Sequence, residues 1–349
     1  MPGVDPWVLR EALRRSAPTL VFYLVLLALY LAMPQYSQFI AMILFYAILG
    51  QAFNIFMGMT GYVDFGYVAF LASGAYAFSL AAIALSEAGV TGWIFIPVGL
   101  AFAAIVAATL ASIVGAIALR LRGAYFAIAT IGVNEGLRYF VEGANLLGGS
   151  IGLYIVKNLK ALVGKEGYQL AATLLADLLM FLLAAVTVLV TGIILSSRLG
   201  YALQAIREDE DAARALGINV TKYKVTAFII SGMLGGMLGA LNWALKGGVV
   251  EPAHVFMIHY TVEAIVIVML GGAGTLLGPV FGAMTYIGLN YVSNVYIAPI
   301  LESMGIKATG LHLIILAPIL LAIIIAAPNG IVGLLKERIK NPRIRSFIT

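Results

Sequence analysis

The sequence predicts an all-α polytopic membrane protein: about ten transmembrane or re-entrant helices, with one charged helix in a loop between two of them. Three observations predict it. Mean hydropathy is +1.03, with 62% of residues hydrophobic and 11% charged, which excludes an ordinary soluble domain. Apolar runs of about 18 or more residues recur, and a helix needs about 20 to cross a bilayer. Nothing alternates with the period of a barrel strand, so backbone groups in lipid must be bonded within helices.

The expected segments follow in order. The first, near 18–33, comes after Arg10, Arg14 and Arg15 as a signal peptide would, but lacks a small-residue cleavage site and is read as a span. Further segments lie near 38–58, 62–85, 93–119, 124–141, 170–195, 222–245, 256–271, 275–296 and 309–327. Glycines interrupt 62–85, 124–141 and 275–296, so each of these either crosses or dips into the membrane. The 38 glycines exceed what lipid-facing helices need, and point to close helix approach or broken segments.

Orientation follows from the positive-inside bias. Arg10, Arg14 and Arg15, then Arg120 and Arg122, then Arg198 to Lys224, and finally Lys336, Arg338, Lys340, Arg343 and Arg345 all fall on one side of an even number of crossings. That side is the cytoplasm, with both termini in it, in a multi-pass protein of the cell (plasma or inner) membrane. Lys157, Lys160 and Lys165 fall outside and are the exception, in a long loop that also carries Glu142 and Glu166. The chain divides into a cytoplasmic segment 1–17, a transmembrane domain 18–330 and a basic cytoplasmic tail 331–349. The net charge of +5 sits mostly in termini and loops, which fits this bias and not nucleic-acid binding. There is no cysteine, which removes disulfides, thiolate chemistry and cysteine-ligated metals.

One polar island, Ser196 to Lys224, stands between apolar segments and carries five basic and four acidic residues. Its core, Arg207-Glu208-Asp209-Glu210-Asp211-Ala212-Ala213-Arg214-Ala215-Leu216-Gly217, reads as a short helix stopped by glycine. Leu203, Ile206, Ala213 and Leu216 supply a modest apolar stripe, and the charges project elsewhere. A compact charged helix on the inner side of a membrane protein is suited to a soluble partner.

Asp211-Ala212-Ala213-x-x-x-Gly217 resembles the EAA-x-x-x-G element through which ABC importer permeases contact their ATPase subunits, with Asp211 for the usual glutamate. Three further stretches join it: Leu121 to Arg138 (LRGAYFAIATIGVNEGLR), Met269 to Ala283 (MLGGAGTLLGPVFGA) and Gly61 to Phe70 (GYVDFGYVAF) with Gly74-Ala75-Tyr76. Together, over about residues 40–330, they resemble the branched-chain amino acid ABC-transporter permease family, LivM type. Leu147 to Leu153 also resembles that family's external TGG-x-x-GL loop, with Leu147 for threonine. Asp64 and Tyr67 depart from the serine and histidine often found there.

Polar residues within the spans need partners or water, since a charge at mid-bilayer costs at least ~2.5–3.5 kcal/mol on insertion scales. Gln51, Asn54, Asp64, Asn134, Glu135, Glu263 and Asn290 lie in or beside apolar segments. Glu135, Arg138 and Glu142 are spaced to form either a self-neutralising ladder on one helix or an orienting network beside a path. Glu263 either bonds another helix or lines a cavity. Asp64, at the Gly61–Gly66 break, is either a helix cap or a pathway residue. The candidate path residues are therefore Asp64, Asn134, Glu135 and Glu263, with Arg207 to Arg214 and Gly217 as the coupling surface.

The Gly271–Gly282 stretch lacks Gly-Lys-Ser/Thr, and no Walker A pattern occurs anywhere. His254, His259 and His312 have no metal-ligand spacing, and no nucleophile arrangement stands out, so no enzyme is expected. The resemblance implies a permease subunit that binds no cofactor of its own, with ATP used by two cytoplasmic ATPase subunits. It further implies a second permease, homologous or identical, an extracellular solute-binding protein, and hydrophobic or branched-chain amino acids as cargo. A urea or short-chain amide permease of the same family, and an ion-coupled secondary transporter using Glu135 and Glu263, are the alternatives.

Overall fold

The computed structural model describes residues 6–303, 318, 321 and 330–338. The expected segment near 309–327, apart from residues 318 and 321, lies outside the described residues, as do His312, Lys340, Arg343 and Arg345.

The described chain is helical almost throughout. Helix α1 spans Pro6–Ala32, α2 Ser37–Thr60, α3 Val68–Glu87, α4 Phe95–Ala118 and α5 Ala124–Gly143. Helix α6, Val156–Leu170, kinked at Gly164 (φ 79°), passes through a π-helical turn at Ala171–Leu175 into α7, Ala176–Leu195. The polar island forms α8, Arg198–Glu208, and α9, Glu210–Ala215. Helix α10, Val220–Gly239, ends in a second π-helical stretch, Ala240–Lys246. After α11, Pro252–Val255, and α12, His259–Gly271, comes α13, Gly278–Val292, which runs through a third π-helical turn into α14, Ala298–Ser303. Helix α15 covers Gly330–Arg338. A two-residue antiparallel ribbon pairs β1, Leu153–Tyr154, with β2, Val249–Val250.

Seven of these helical stretches are long and apolar enough to cross a membrane. The expected segments at 124–141 and 275–296 are also helical, as α5 and α13. Glycine does not break α5, which is continuous across Gly132 and Gly136. Three boundaries differ from expectation; one is the segment expected at 170–195, which is helical back to Val156, so that Lys157, Lys160 and Lys165 lie on α6 and not in a loop. The first helix begins at Pro6, well before residue 18, and runs through Pro18. The third begins at Val68, because Gly61 takes a left-handed conformation (φ 76°) that ends α2 and opens an irregular connection up to Tyr67.

Helix α2 is the axis of the bundle: from Ile40 to Thr60 every residue except Met42 is buried. Around it pack α10, α13, α12 and α7. Small residues let α4 approach α10. Gly99, Ala103, Ala107, Ala111 and Gly115 recur every four residues on the buried face of α4. Gly236 sits against Ala107 and the backbone of α3, so that Gly74 of α3 lies on the Gly236 carbonyl. The opposite face of α4 presents Val98, Phe102, Ile105, Ile113 and Ile117 outward, as lipid contact requires.

The two ends of the bundle differ. At one, α8 and α9 meet the ends of α2 and α4, and Tyr201 shares a cavity with Trp7 and Arg10 of α1. At the other lie the β1–β2 ribbon and the α3–α4 connection, where Gly92 N donates to Leu162 O at 2.8 Å. Lys157, Lys160 and Lys165 belong to that second end, opposite the island.

Candidate coupling surface and polar sites of the bundle

The island folds as two helices, where the sequence reads as one. Asp209 takes an extended conformation (φ −156°, ψ 111°) and its Oδ1 accepts from Asp211 N and Ala212 N, both at 2.9 Å. An aspartate able to satisfy two free amides competes with continuation of the helix, so α8 stops and α9 starts anew. Gly217, at φ 86°, closes α9: Ile218 N donates to Ala213 O at 3.1 Å and Gly217 N to Arg214 O at 3.0 Å.

The expected apolar stripe is only partly inward. Leu203, Ile206 and Ala213 are buried, Ile206 and Ala213 packing with Val220, whereas Leu216 is 82% exposed. The break at Asp209 rotates the second helix and carries Leu216 to its outer surface. Ala213 therefore holds the hairpin together, and Ala212, with Glu208, Asp209, Arg214 and Leu216, is left facing outward.

The charges do not all project away. Glu210 turns into the protein. Its Oε2 accepts from Tyr62 OH at 2.5 Å and from Lys224 Nζ at 3.0 Å, and its Oε1 faces Arg214 Nη2 at 3.0 Å and Arg122 Nε at 3.6 Å. The Lys224 side chain is 1% exposed and that of Glu210 13%, and the ammonium also lies 4.1 Å from the Tyr62 ring centroid. Asp211 forms a fork with Arg122, at 3.0 and 2.8 Å, on the surface. Partial burial opposes ionisation of Glu210, but the bonds from Tyr62 and Lys224 and the charges of Lys224 and Arg122 outweigh it and hold the carboxyl below its ordinary range. The hydrogen bonds and charge of Arg122 do the same for Asp211.

Arg207 joins the island to the bundle. Its Nη1 donates to Gly58 O at 2.6 Å, among the last carbonyls of α2, and lies 3.4 Å from Ala273 O in the glycine-rich turn before α13. The same turn is clamped to α2 from within: Asn54 Oδ1 accepts from Gly274 N at 2.7 Å and Asn54 Nδ2 donates to Thr275 O at 2.9 Å. The island, the C-terminal end of α2 and the glycine-rich turn thus form one bonded unit. Beside it, a cleft of about 670 Å³ lies among Arg120, Arg122, Glu210, Arg214 and Gly217.

Of the candidate path residues, Asn134 lies on the buried face of α5 and Asp64, in the connection between α2 and α3, packs against that face near Thr130. Asp64 Oδ1 accepts from Gly66 N at 2.8 Å in the turn leading to α3, and Phe65 N donates to Thr130 Oγ1 at 3.1 Å, one helical turn before Asn134. Asn134 Nδ2 donates to Phe256 O at 3.1 Å, and its Oδ1 takes no hydrogen bond from the described residues. Glu135 lies off this face in a ladder: Arg138 reaches Glu135 at 3.3 Å and Glu142 at 3.4 Å. Glu263 belongs to a different cluster, where Tyr286 OH donates to Oε1 at 2.6 Å and His259 lies 3.5 Å away.

Several residues outside those candidates carry the geometry. Tyr62, Lys224 and Asn54 bond the island and the turn to the bundle, as above. Asp177, 5% exposed, accepts from Tyr30 OH at 2.9 Å and from Lys246 Nζ at 2.5 Å, linking α1, α7 and the π-helical end of α10. An aspartate within an apolar run is itself the signal for such a pair.

The fold and these sites define a multi-pass helical membrane protein whose one end carries a capped, charged helical hairpin fastened to its central helix. The chain belongs to the branched-chain amino acid transport system / permease component family, whose model matches residues 35–324. It is 32% identical over 265 residues to the high-affinity branched-chain amino acid transport system permease protein LivM of Salmonella typhimurium, covering 70% of this chain and 60% of the relative. The LivM protein of Escherichia coli K12 is 31% identical over 68% of this chain and 59% of its own. The LivH protein of that strain is 24% identical over 82% and 91%. The chain thus spans about 60% of the length of the LivM relatives it matches. No solved structure matches it.

Proposed function

We propose that this chain is a permease subunit of an ATP-binding-cassette importer for branched-chain or other hydrophobic amino acids, seated in the cell membrane with both termini and the island in the cytoplasm. Family membership supports the class of cargo, and the named relatives act in branched-chain amino acid transport. The observation that carries the mechanism is the bonded unit of island, α2 and glycine-rich turn. Residues Arg207 to Arg214 and Gly217, within loop 196–224, form the surface against which an ATPase subunit docks. Two such subunits, a second permease of like fold and an external solute-binding protein complete the importer.

In this reading Leu216 and Ala212 enter a recess on the ATPase, and Glu208, Asp209 and Arg214 set its polar rim. A shift of α9 passes through Glu210–Tyr62 to the connection before α3 and through Arg207–Gly58 to α2, so that helices on both sides of Asp64 move together. Asp64 and Asn134 offer polar groups to the zwitterionic head of the solute along α5, whereas Glu135 and Glu263 lie in separate clusters away from them. The chain hydrolyses no ATP and binds no cofactor; that chemistry belongs to its partners.

The test is uptake of leucine into vesicles carrying the complex. The reading expects uptake that needs internal ATP and external binding protein and survives collapse of the proton and sodium gradients. Uptake by this chain alone, driven by an ion gradient, would replace it with a secondary transporter.

A further inference from the structure

At the end opposite the island, α2, the π-helical end of α10 and the start of α12 border an open cavity of about 340 Å³. Its walls include Gln38, Phe45, Tyr46, Asn242, Lys246 and Tyr260. We infer that this cavity is a binding station for the transported solute, an α-amino acid with an apolar side chain; the inference rests on the importer reading above.

The cavity presents both halves that such a solute needs. Lys246 supplies a cation at the wall. An ammonium has three donors, and the described residues give it one acceptor, Asp177 Oδ1, which keeps Tyr30 as its own second partner. An incoming carboxylate therefore bonds Lys246 without stripping Asp177 of all its partners, and the side-chain amide of Asn242, one turn earlier, reaches the same head. On the other wall, the Tyr260 ring packs 6.3 Å from Phe45 and 5.2 Å from Trp243, an aromatic surface for an aliphatic side chain. Glu263 lies one layer behind, where Tyr286 OH donates to its Oε1 at 2.6 Å, so carboxyl oxygens stand behind the aromatic wall.

The backbone is unusual at the same place. Lys246 closes the π-helical stretch Ala240–Lys246, and Asp177 follows the π-helical turn Ala171–Leu175 by two residues. The two stretches pack together, so an ion pair with spare donors sits where both helices are widened, an irregularity frequent at functional sites. A second cavity, of about 250 Å³ between α3, α4 and α5, is walled almost wholly by apolar surface and offers nothing for a charged head.

The absence of cysteine makes the test direct. Single cysteines are introduced by Gln38→Cys and Asn242→Cys in the cavity, and by Leu146→Cys on the exposed connection after α5 as control. Each is labelled in vesicles with a membrane-impermeant methanethiosulfonate, with or without leucine, urea or lysine. Leucine is expected to slow labelling of both cavity positions roughly tenfold at ten times its dissociation constant, and to leave Leu146→Cys unchanged. Lys246→Met removes the protection and Lys246→Arg retains it. Wild-type complex that takes up leucine while neither cavity cysteine is protected overturns this station and leaves the importer reading standing. Protection by urea in place of leucine, with no leucine uptake, overturns both.

Discussion

Replacing Glu210 with glutamine removes the one anion that, among the described residues, pairs with Lys224 inside the protein. With its side chain 1% exposed, Lys224 cannot recover water in exchange; Arg214 also loses its carboxylate, while Arg122 keeps its fork with Asp211. Breaking a buried pair on one side costs about 3–5 kcal/mol. Glu210 keeps 13% exposure, which admits some solvent and places the loss near the lower bound, about 3 kcal/mol. That corresponds to roughly a hundredfold change in the equilibrium between closed and opened α9. Hydrogen exchange over residues 209–218 is the assay. Glu210→Gln is expected to speed exchange there by up to that factor, with no change in α4. The double variant Glu210→Gln/Lys224→Met, which removes both charges, recovers most of the protection. Asp211→Asn breaks a pair of even shorter distance, 2.8 Å against 3.0 Å, yet both its members are solvent-exposed, so exchange changes little. The depressed carboxyl of Glu210 also fixes the sign with pH: its stabilisation is present above the ordinary carboxylate range and is lost as pH falls through the lowered value. Protection of α9 is therefore level at neutral pH and fails only in acid. Equal exchange in wild type and Glu210→Gln would refute the idea that this carboxylate fastens the hairpin.

Three further outcomes follow from the same geometry. Arg207→Ala frees the Gly58 carbonyl and loosens the island from α2; the complex still assembles, but the ratio of leucine transported to ATP hydrolysed falls in reconstituted vesicles. Asn54→Leu leaves Gly274 N and Thr275 O without their partner at about 1–3 kcal/mol each, and exchange over 272–278 rises. Gly74→Ala drives a methyl into the backbone of Gly236 where α3 and α10 cross, at a cost of about 1–3 kcal/mol, read as a lower thermal midpoint in detergent.

Much of this was legible in the sequence because lipid leaves the backbone so few options. Apolar runs mark α2, α4 and α10 with its π-helical extension to within a few residues, and the glycine signals at Gly61 and Gly217 correspond to left-handed helix ends. What a one-dimensional reading missed came from contacts distant in the chain. Composition favours one helix from 207 to 217, and only the competing cap from Asp209 splits it. Leu216 fits an apolar stripe on paper and faces outward because of that split. Glu210 looks like any surface glutamate until Tyr62, from 148 positions away, donates to it. The same limit explains the candidate path residues: polarity within a span flagged all four, but the packing joins only Asp64 and Asn134 along α5, leaving Glu135 in its own ladder and Glu263 among tyrosines.

The central claim is that the hairpin at Arg207–Gly217 is the surface an ATPase subunit grips. Site-specific crosslinking tests it most directly, since each introduced cysteine is the chain's sole thiol. Leu216→Cys, Ala212→Cys and Glu208→Cys, each treated in native membranes with a short thiol-to-amine crosslinker, are expected to yield an adduct with an ATP-binding subunit that changes in amount when ATP is added. Ile105→Cys, on the lipid face of α4, yields none. Adducts absent from all three hairpin positions, in membranes where the ATPase co-purifies with this chain, would contradict the claim and move the coupling surface elsewhere.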